Sequence, residues 1–281
     1  MKNGPGNRQH NDPYWKNHRP AAKTQASVAE RQHSAPAWTE SAVVAKPRSP
    51  NYFLASLPAT DFGLLRPHLK TKELVGETVL FEAGDSVDCV YFPRTAIVSL
   101  VVTLSTGEMI EAAMVGRDGI VNGLAALGRP ISLCRAVVQM AGESSVLDLN
   151  KLRRIADRSS AIRTALVRHE QFLRSQVQQS AACNATHSVE ARLSRWLLRA
   201  HELNGTHALL FTQEFLAEML GVRRTSVSLV ANTLQQAGLI KYRRGQIQIT
   251  NLEGLQEVSC ECHETVKASY KRLLGGPSVR P

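Results

Sequence analysis

Long hydrophobic runs are missing from this sequence. The longest candidate, residues 96–104, is interrupted by Ser99 and Thr103, and it is far shorter than the roughly 18 apolar residues of a membrane span. The N-terminus begins MKNGPGNRQH and contains no apolar segment of the kind that directs export. These absences predict a chain without a membrane partner that stays in the cytoplasm.

Cysteine is scarce, with five residues among 281. An odd number of scattered cysteines predicts no disulfide framework. Only Cys260 and Cys262 lie close together, and a lone Cys-x-Cys does not supply the four ligands of a typical zinc site. An N-terminal cysteine cluster that could hold an iron–sulfur centre is also missing. We therefore expect reduced thiols on a helix, with no metal and no other cofactor.

Motifs of the common enzyme classes do not occur either. The sequence has no P-loop, HExxH or GxGxxG pattern and no ordering of Ser, His and Asp that indicates nucleophilic catalysis. The segment GRDG at residues 116–119 is typical of a turn. We therefore expect that this chain is not an enzyme.

Positive charge dominates, with a net charge of +10, but it is unevenly distributed. Lys and Arg outnumber Asp and Glu by eight to three in residues 1–50 and by 12 to 8 in residues 188–281, whereas residues 51–187 carry 14 against 13. Basic ends indicate a polyanionic partner. Residues 1–50 are rich in polar residues and lack periodicity, which predicts a disordered basic tail.

The middle of the chain, residues 51–158, has the pattern of short strands. A helix is predicted from Phe53 to near Pro67, and β-branched and aromatic segments bounded by turn residues follow it. Six close strands predict an antiparallel roll or small barrel. The predicted strands are residues 78–81, 89–92, 96–104, 109–115, 134–140 and 145–149.

A long helix is predicted at residues 160–186, which contain neither Gly nor Pro. Its apolar side chains recur at steps of three and four residues, close to heptad spacing. The stripe is consistent with packing on its own domain or with a dimer seam, and the length of the helix favours a dimerisation helix over residues 159–187. The predicted seam residues are Ile162, Leu166, His169, Leu173, Val177 and Ala181.

The C-terminal region carries a helix-turn-helix pattern. Thr212 is a suitable N-cap for a short helix, Gly221 permits a sharp turn, and a second helix runs from Arg224 until Gly238. In this motif the second helix lies in the major groove of DNA, and its first residues face base edges. An Arg there can donate two hydrogen bonds to guanine. The residues predicted to contact bases are Arg223, Arg224, Thr225, Ser226 and Ser228; those predicted to be buried are Val227, Val230, Leu234 and Ala237.

A hairpin follows the second helix. Two alternating strands flank a tip that carries Arg243 and Arg244, which predicts a wing whose cations reach the DNA backbone. The alternative is an ordinary helical hairpin inside a core. It is disfavoured because it explains neither the wing nor the polar edge of the second helix.

The run QEFLAEMLGVRRTSVSLVANTLQQAGLI, with the wing, the preceding roll and the long helix, resembles the CRP/FNR family of bacterial regulators over residues 53–274. The resemblance implies an α+β fold: a cupin-like, cyclic-nucleotide-binding-like β-roll, a dimerisation helix and a winged helix-turn-helix over residues 188–281. It also implies a homodimer on double-stranded DNA, backbone contacts from Thr212 and Gln213, and RNA polymerase as a candidate partner.

Several residues depart from the family pattern. Arg224 matches a base-reading Arg, whereas Thr225 and Leu229 stand where the family often has Glu and a second Arg, so the familiar half-site is not expected. The roll segment GRDGIVNGLAALGRPISLCRAVVQ lacks the Gly-Glu and Arg-Ser pairs that hold a cyclic nucleotide. We expect no tight cyclic AMP binding, and we expect Arg129 or Arg135 to pair with an acidic residue on the roll surface.

These patterns predict a dimeric, sequence-specific regulator whose two recognition helices lie in successive major grooves about 34 Å apart. A signal that binds or acts on the roll would change the relative orientation of the two recognition helices. The alternative is a small-ligand sensor whose C-terminal domain contacts protein instead of DNA. The effect of salt on binding to duplex DNA separates the two, because only phosphate contacts give a steep dependence.

Overall fold

Two short helices precede the roll where the sequence predicts one. The computed structural model describes residues 49–243 and 245–275, so residues 1–48 of the predicted basic tail lie outside the described residues. Helix α1 spans Tyr52–Ser56 and α2 spans Ala59–Leu65, with a 3-10 turn at Arg66–His68. Pro58 is the reason for the break, because it lacks an amide donor and stands as N-cap of α2.

Seven antiparallel strands form the roll. One sheet has the order β1-β7-β3 and the other the order β2-β6-β4-β5. All six predicted strands are confirmed, with bounds that differ from the predicted ones by a few residues at most. The strands are β1 Lys70–Leu74, β2 Val79–Phe81, β3 Cys89–Pro93, β4 Ile97–Thr103, β5 Met109–Val115, β6 Arg135–Met140 and β7 Gly142–Asp148.

Strand β1 was not predicted, because its sequence KTKEL has four exposed side chains and only Leu74 is buried. It is an edge strand that pairs only with β7, from Lys70 opposite Val146 to Leu74 opposite Gly142. Charged residues are common on such edges, where they discourage pairing with other chains.

Two helices pack against the roll. Helix α3 spans Leu149–Arg158, and α4 spans Ser160–Thr186, the bounds that the sequence predicts. The Ser159 side chain accepts a hydrogen bond from the Ile162 amide at 3.1 Å, which satisfies one of the free donors at the start of α4. The apolar face of α4 then continues the core of the roll.

The C-terminal region contains five helices and a three-stranded sheet of order β8-β10-β9. Local caps explain the helix bounds predicted here, whereas β8, α8 and α9 were not predicted. The elements are α5 Val189–Asn204, β8 Ala208–Leu210, α6 Gln213–Leu220, α7 Arg224–Gln236, β9 Ile240–Arg243, β10 Gln246–Ile249, α8 Leu252–Val258 and α9 Cys262–Leu274. We call residues 189–258 the reader domain.

The roll and the reader domain share a hydrophobic core. Met114 of β5 and Met140 of β6 belong to the same cluster of buried side chains as Trp196 of α5. The fold therefore places one end of the roll directly against the helices that carry the helix-turn-helix. Within the described ranges, no helix has both the length and the apolar character needed to cross a bilayer.

Candidate nucleic-acid interface

Helices α6 and α7 have the geometry of a helix-turn-helix. The Thr212 side chain accepts a hydrogen bond from the Phe215 amide at 3.1 Å and begins α6. Gly221 has φ +61°, a left-handed conformation that glycine adopts without strain, and it ends α6. Arg223 is the N-cap of α7, so only three residues separate the two helices.

Helix α7 is held from behind by apolar contacts. Val227, Ala231 and Leu234 are buried in the core that includes Trp196. Two of the four predicted buried positions are therefore confirmed. Val230 is only half-buried and Ala237 is exposed, because α7 ends at Gln236 and Ala231, one turn after Val227, occupies the inner face instead.

The opposite edge of α7 is polar. Arg223, Arg224 and Thr225 are exposed at its first turn, whereas Ser226 and Ser228 are half-buried. This edge lies at the N-terminal end of the helix, where the helix dipole and free amide groups favour anions. The structure thus places the five predicted base-contacting residues at one end of one helix; whether they contact bases stays a prediction.

Two contacts tie this polar edge to α6. The Arg224 Nε atom lies 2.9 Å from the Glu214 Oε1 atom, and the Ser228 hydroxyl donates to the Gln213 Oε1 atom at 2.5 Å. The ion pair uses the Nε atom of Arg224. The Nη1 and Nη2 atoms of the same guanidinium are the donors that would bind guanine. Sequence reasoning missed Glu214, because the pair crosses the turn between two helices.

The residues predicted to contact the DNA backbone flank α7. Thr212 and Arg243 are exposed, and Gln213 is half-buried beside Ser228. Arg244 lies outside the described residues. The hairpin of β9 and β10 carries a further exposed cation, Lys241, that sequence reasoning did not single out. Its position in an alternating strand was the available signal.

The turn of the helix-turn-helix touches the roll. A Cβ atom added at Gly221 would lie 3.0 Å from the Ile110 Cγ1 atom of β5. Met109 and Val222 also pack against the shared core. The start of β5 therefore has a direct contact with the segment that orients α7.

A buried charged pair reinforces the contact between the roll and α5. Asp118 and Arg199 form a hydrogen-bonded ion pair whose side chains are only 5% and 12% exposed. The Arg117 Nη2 atom donates to the Glu202 carbonyl at 2.9 Å. Loss of one partner would leave a buried charge uncompensated, which typically costs about 3–5 kcal/mol.

The stripe predicted as a dimer seam on α4 lies in two environments. Four of its residues are at most 8% exposed and pack inside the chain, so they are not free to face a second copy. For these four residues the seam prediction is wrong, because their side chains pack on the roll. They are Ile162, Leu166, His169 and Leu173. Val177 and Ala181 are exposed.

His169 is a packed histidine. Its Nε2 atom accepts a hydrogen bond from the Ile120 amide at 3.2 Å, which requires the neutral ring. Burial lowers its pKa to about 4. The edge of the ring faces Phe53, with centroids 5.7 Å apart. The residue therefore completes the core between α1, the roll and α4.

The roll surface carries the pairing that the sequence predicts for one of its arginines. Arg135 Nε lies 3.6 Å from Glu82 Oε1. Apolar side chains such as Phe81, Val98 and Val138 are packed in the interior of the roll. The predicted pairing of an arginine with an acidic residue on the roll surface is thus confirmed for Arg135, whereas the absence of cyclic AMP binding stays a prediction.

The structure corrects the expectation that Cys260 and Cys262 both lie on a helix. Cys260 precedes α9 and Cys262 opens it, and both lie beside Cys183 and His187 at the end of α4. Burial raises the pKa of the Cys260 thiol to about 12. The two arms of this cluster are about 75 residues apart in the chain, so sequence spacing alone did not reveal it.

A short helix, a glycine turn, a second helix with an exposed polar edge and an antiparallel wing define a winged helix-turn-helix DNA-binding domain. In agreement, residues 191–258 match the family model of the Crp-like helix-turn-helix domain. The full chain combines this domain with a roll and a long helix, and this combination is the fold of solved regulators of the CRP/FNR family.

Solved structures share this fold at low sequence identity. FixK2 from Bradyrhizobium japonicum is 14% identical, with a TM-score of 0.58, and the match covers 68% of this chain and 98% of that one. A regulator of the crp/fnr family from Eubacterium rectale is 18% identical (TM-score 0.57; 72% and 94% covered). A transcriptional regulator of the CRP/FNR family from Thermus thermophilus, TTHA1359, is 22% identical (TM-score 0.55; 68% and 98% covered). No curated protein matches the sequence.

Proposed function

We propose that the chain acts as a homodimer and reads a near-palindromic DNA site through the first turn of α7. The carrying observation is the exposed polar edge of Arg223, Arg224 and Thr225 on a helix whose other face is buried. Phosphate contacts from Thr212, Gln213 and the wing would set the register, and the side chains of α7 would supply base discrimination.

Leu229 adds a specific expectation about the target. It lies on α7 with 70% of its surface exposed, which is unusual for a large apolar side chain. An apolar group in the major groove recognises the methyl group of thymine. We therefore expect a thymine in the half-site, close to the base read by Arg224.

The second copy would pack on the exposed face of α4. Exposed residues recur there at steps of four and three, which is heptad spacing. This stripe lies away from the face that packs on the roll, and it replaces most of the seam predicted from the sequence. It consists of Thr164, Val167, Gln171, Arg174, Gln178 and Ala181.

A signal would reach the reader domain through the contact between β5 and the turn after α6. Any ligand or partner that moves the start of β5 displaces Ile110 against Gly221. Such a signal changes the orientation of α7 only if it binds the two arrangements with different affinity. The proposal does not require cyclic AMP, and it places the chain in the cytoplasm, with the DNA; RNA polymerase remains a candidate partner.

Selection of bound duplexes from a random pool tests the proposal. The expected result is a two-fold symmetric motif with half-sites about 10 base pairs apart, centre to centre, and at least one strongly preferred thymine in each. Repeating the selection with and without candidate effectors reports ligand dependence. If the bound duplexes shared no common sequence motif, this result would contradict specific recognition.

The salt dependence of binding separates this function from a protein-binding role for the reader domain. DNA recognition predicts that log K falls linearly with log salt, with a slope of about −0.9 for each phosphate neutralised. A domain that contacts protein would show little affinity for duplex DNA at any salt concentration. The measurement uses the full chain and the duplex recovered by selection.

A further inference from the structure

Four potential metal ligands meet where α4 ends. Cys183 and His187 are one helical turn apart, so they project from the same face of the helix end. Cys260 and Cys262 flank Glu261, the N-cap of α9, and α9 packs along α4. Two distant segments thus each present two ligands to one point.

The distances between the ligand atoms fit one tetrahedral ion. All four atoms lie within 4.8 Å of one another. The Cys183 and Cys260 Sγ atoms are 3.5 Å apart, and the Cys262 Sγ atom is 3.5 Å from the His187 Nδ1 atom. Zinc bonds of about 2.3 Å to sulfur and about 2.0–2.1 Å to nitrogen place ligands roughly 3.5–3.8 Å apart at the corners of a tetrahedron.

We propose that Cys183, His187, Cys260 and Cys262 bind one zinc ion. Three thiolates and one imidazole are a common ligand set of structural zinc sites. A cluster of several irons fits less well, because each ligand would bind a different iron and the four would be further apart. With four protein ligands the coordination is closed, which is typical of a structural role and leaves no position for a substrate.

The surrounding residues orient the ligands. The His187 Nε2 atom lies 3.2 Å from the Glu261 Oε1 atom, so Nδ1 is free to bind the metal while Nε2 donates to the carboxylate. Metal-binding histidines usually have such a partner, which sets the tautomer and ring orientation. The Gln179 side-chain amide donates to the Cys262 sulfur at 3.0 Å.

Charge compensation is also present. Zinc with three thiolates and a neutral imidazole carries a net charge of −1. Arg192 and Arg195 are close enough to the cysteines for their positive charges to act on Cys183. The Arg192 side chain also donates to the Leu220 carbonyl at the end of α6, so the environment of the metal is connected to the helix-turn-helix.

The location indicates that the ion would stabilise the junction between α4 and α5. His187 is the C-cap of α4, and α5 begins two residues later, so the cluster lies at the junction where the chain enters the reader domain. The metal would link this junction to the start of α9. Metal binding does not depend on the proposed DNA site, and either can fail without the other.

Metal analysis of the full chain, purified under reducing conditions, tests the site. One zinc per chain is expected by native mass spectrometry and by elemental analysis. After removal of the zinc, added Co²⁺ should produce the visible bands of a tetrahedral ion and near-ultraviolet charge-transfer absorption from thiolate. Cys183→Ser and Cys260→Ser should lose or strongly alter these signals, whereas Cys89→Ser and Cys134→Ser, in the roll, should retain them.

A second variant keeps the test valid if the cysteine variants do not fold. Glu261→Ala leaves all four ligands in place and should weaken zinc binding about 10–100-fold, as is typical when such a partner is removed. Glu257→Ala, at an exposed position of α8, is the matched control. Circular dichroism would verify the fold of each variant.

Three results would overturn the proposal. The reduced chain could bind neither zinc nor cobalt at one equivalent; a folded cysteine variant could retain the thiolate absorption; or Glu261→Ala and its control could bind zinc equally. Formation of a Cys183–Cys260 disulfide by a chain that binds no metal when reduced would assign the close sulfur pair to redox chemistry instead.

Discussion

At the scale of single residues, Arg224 has a partner before any DNA is bound. Its Nε atom is 2.9 Å from Glu214, and both side chains are more than half exposed, so the pair is weak and well hydrated. The pair restricts the guanidinium to one side of α7 without engaging both of its terminal nitrogens. A partly ordered Arg loses less conformational entropy on binding than a free one.

Replacement of Arg224 by Ala should weaken binding to the selected duplex by about 1–3 kcal/mol and relax the preference at one base of each half-site. Titrations against the selected duplex and its single-base variants measure both effects. Arg272→Ala, at an exposed position of α9, controls for the loss of one charge. Unchanged base preference would remove Arg224 from the base-reading set.

Glu111 is a half-buried acid of β5 that faces α5. Burial raises its pKa from 4.5 to about 7, although the Ser99 hydroxyl, which donates at 2.5 Å, and Arg195 favour the ionised form. Between pH 4.5 and 7 the folded chain retains a proton that the unfolded chain has lost. The contribution of this group therefore lowers the free energy of unfolding as pH rises through that window.

Glu111→Gln should remove this pH dependence, because glutamine is uncharged and can still accept from Ser99. The difference in midpoint temperature between variant and wild type should move in favour of the variant from pH 5 to pH 7.5. Thermal unfolding in matched buffers measures it, with Glu73→Gln on the exposed edge of β1 as the surface control. A constant difference across this range would contradict a raised pKa.

At the scale of elements, the wing and the recognition helix should contribute differently to affinity. Arg243 is exposed near the hairpin tip, where it can reach phosphates without reading bases. Arg243→Ala should weaken all duplexes alike and reduce the magnitude of the salt slope by about 1. Binding to selected and scrambled duplexes at low and at moderate salt tests this; a loss confined to the selected sequence would assign Arg243 to base readout.

The turn between α6 and α7 is constrained by both its backbone and its neighbour. Gly221→Ala should destabilise the chain by about 1 kcal/mol or more, because φ +61° strains any L-residue and the new methyl group would press on Ile110. Gly63→Ala, in α2 with open space around it, should instead stabilise by roughly 0.5–1 kcal/mol. Equal effects in chemical denaturation would argue against the constraint at the turn.

Elements with strong local signals could be predicted from the sequence. The caps Ser159, Thr212 and Gly221 define the start of α4 and both ends of α6, because capping involves only neighbours along the chain. Strand β1 could not be predicted, because its polar side chains become a strand only by pairing with β7. The thiol cluster and the Arg224–Glu214 pair likewise depend on tertiary packing.

At the scale of the whole molecule, the two faces of α4 differ in what they contact. The buried face packs on the roll, and the exposed face is the one proposed to contact a second copy. The sequence periodicity revealed only the more hydrophobic face, which packs on the roll. The exposed face is more polar, and Val167, which is 44% exposed, is the one large apolar side chain of the stripe defined above. A dimer formed through this face would depend on a few apolar contacts. Introduction of a single charged side chain there should therefore destabilise the dimer.

Val167→Glu should therefore shift the chain from dimer to monomer and weaken binding to a two-half-site duplex much more than binding to a single half-site. The two glutamates would face each other across a two-fold axis, where like charges repel and desolvation is costly. Analytical ultracentrifugation over a range of concentrations measures assembly. Val75→Glu, also exposed but in the roll, should leave both the dimer and the affinity unchanged. If Val167→Glu were as dimeric as wild type, the seam would have to lie on another surface, and if wild type itself were monomeric on the selected duplex, the dimer mechanism would fail.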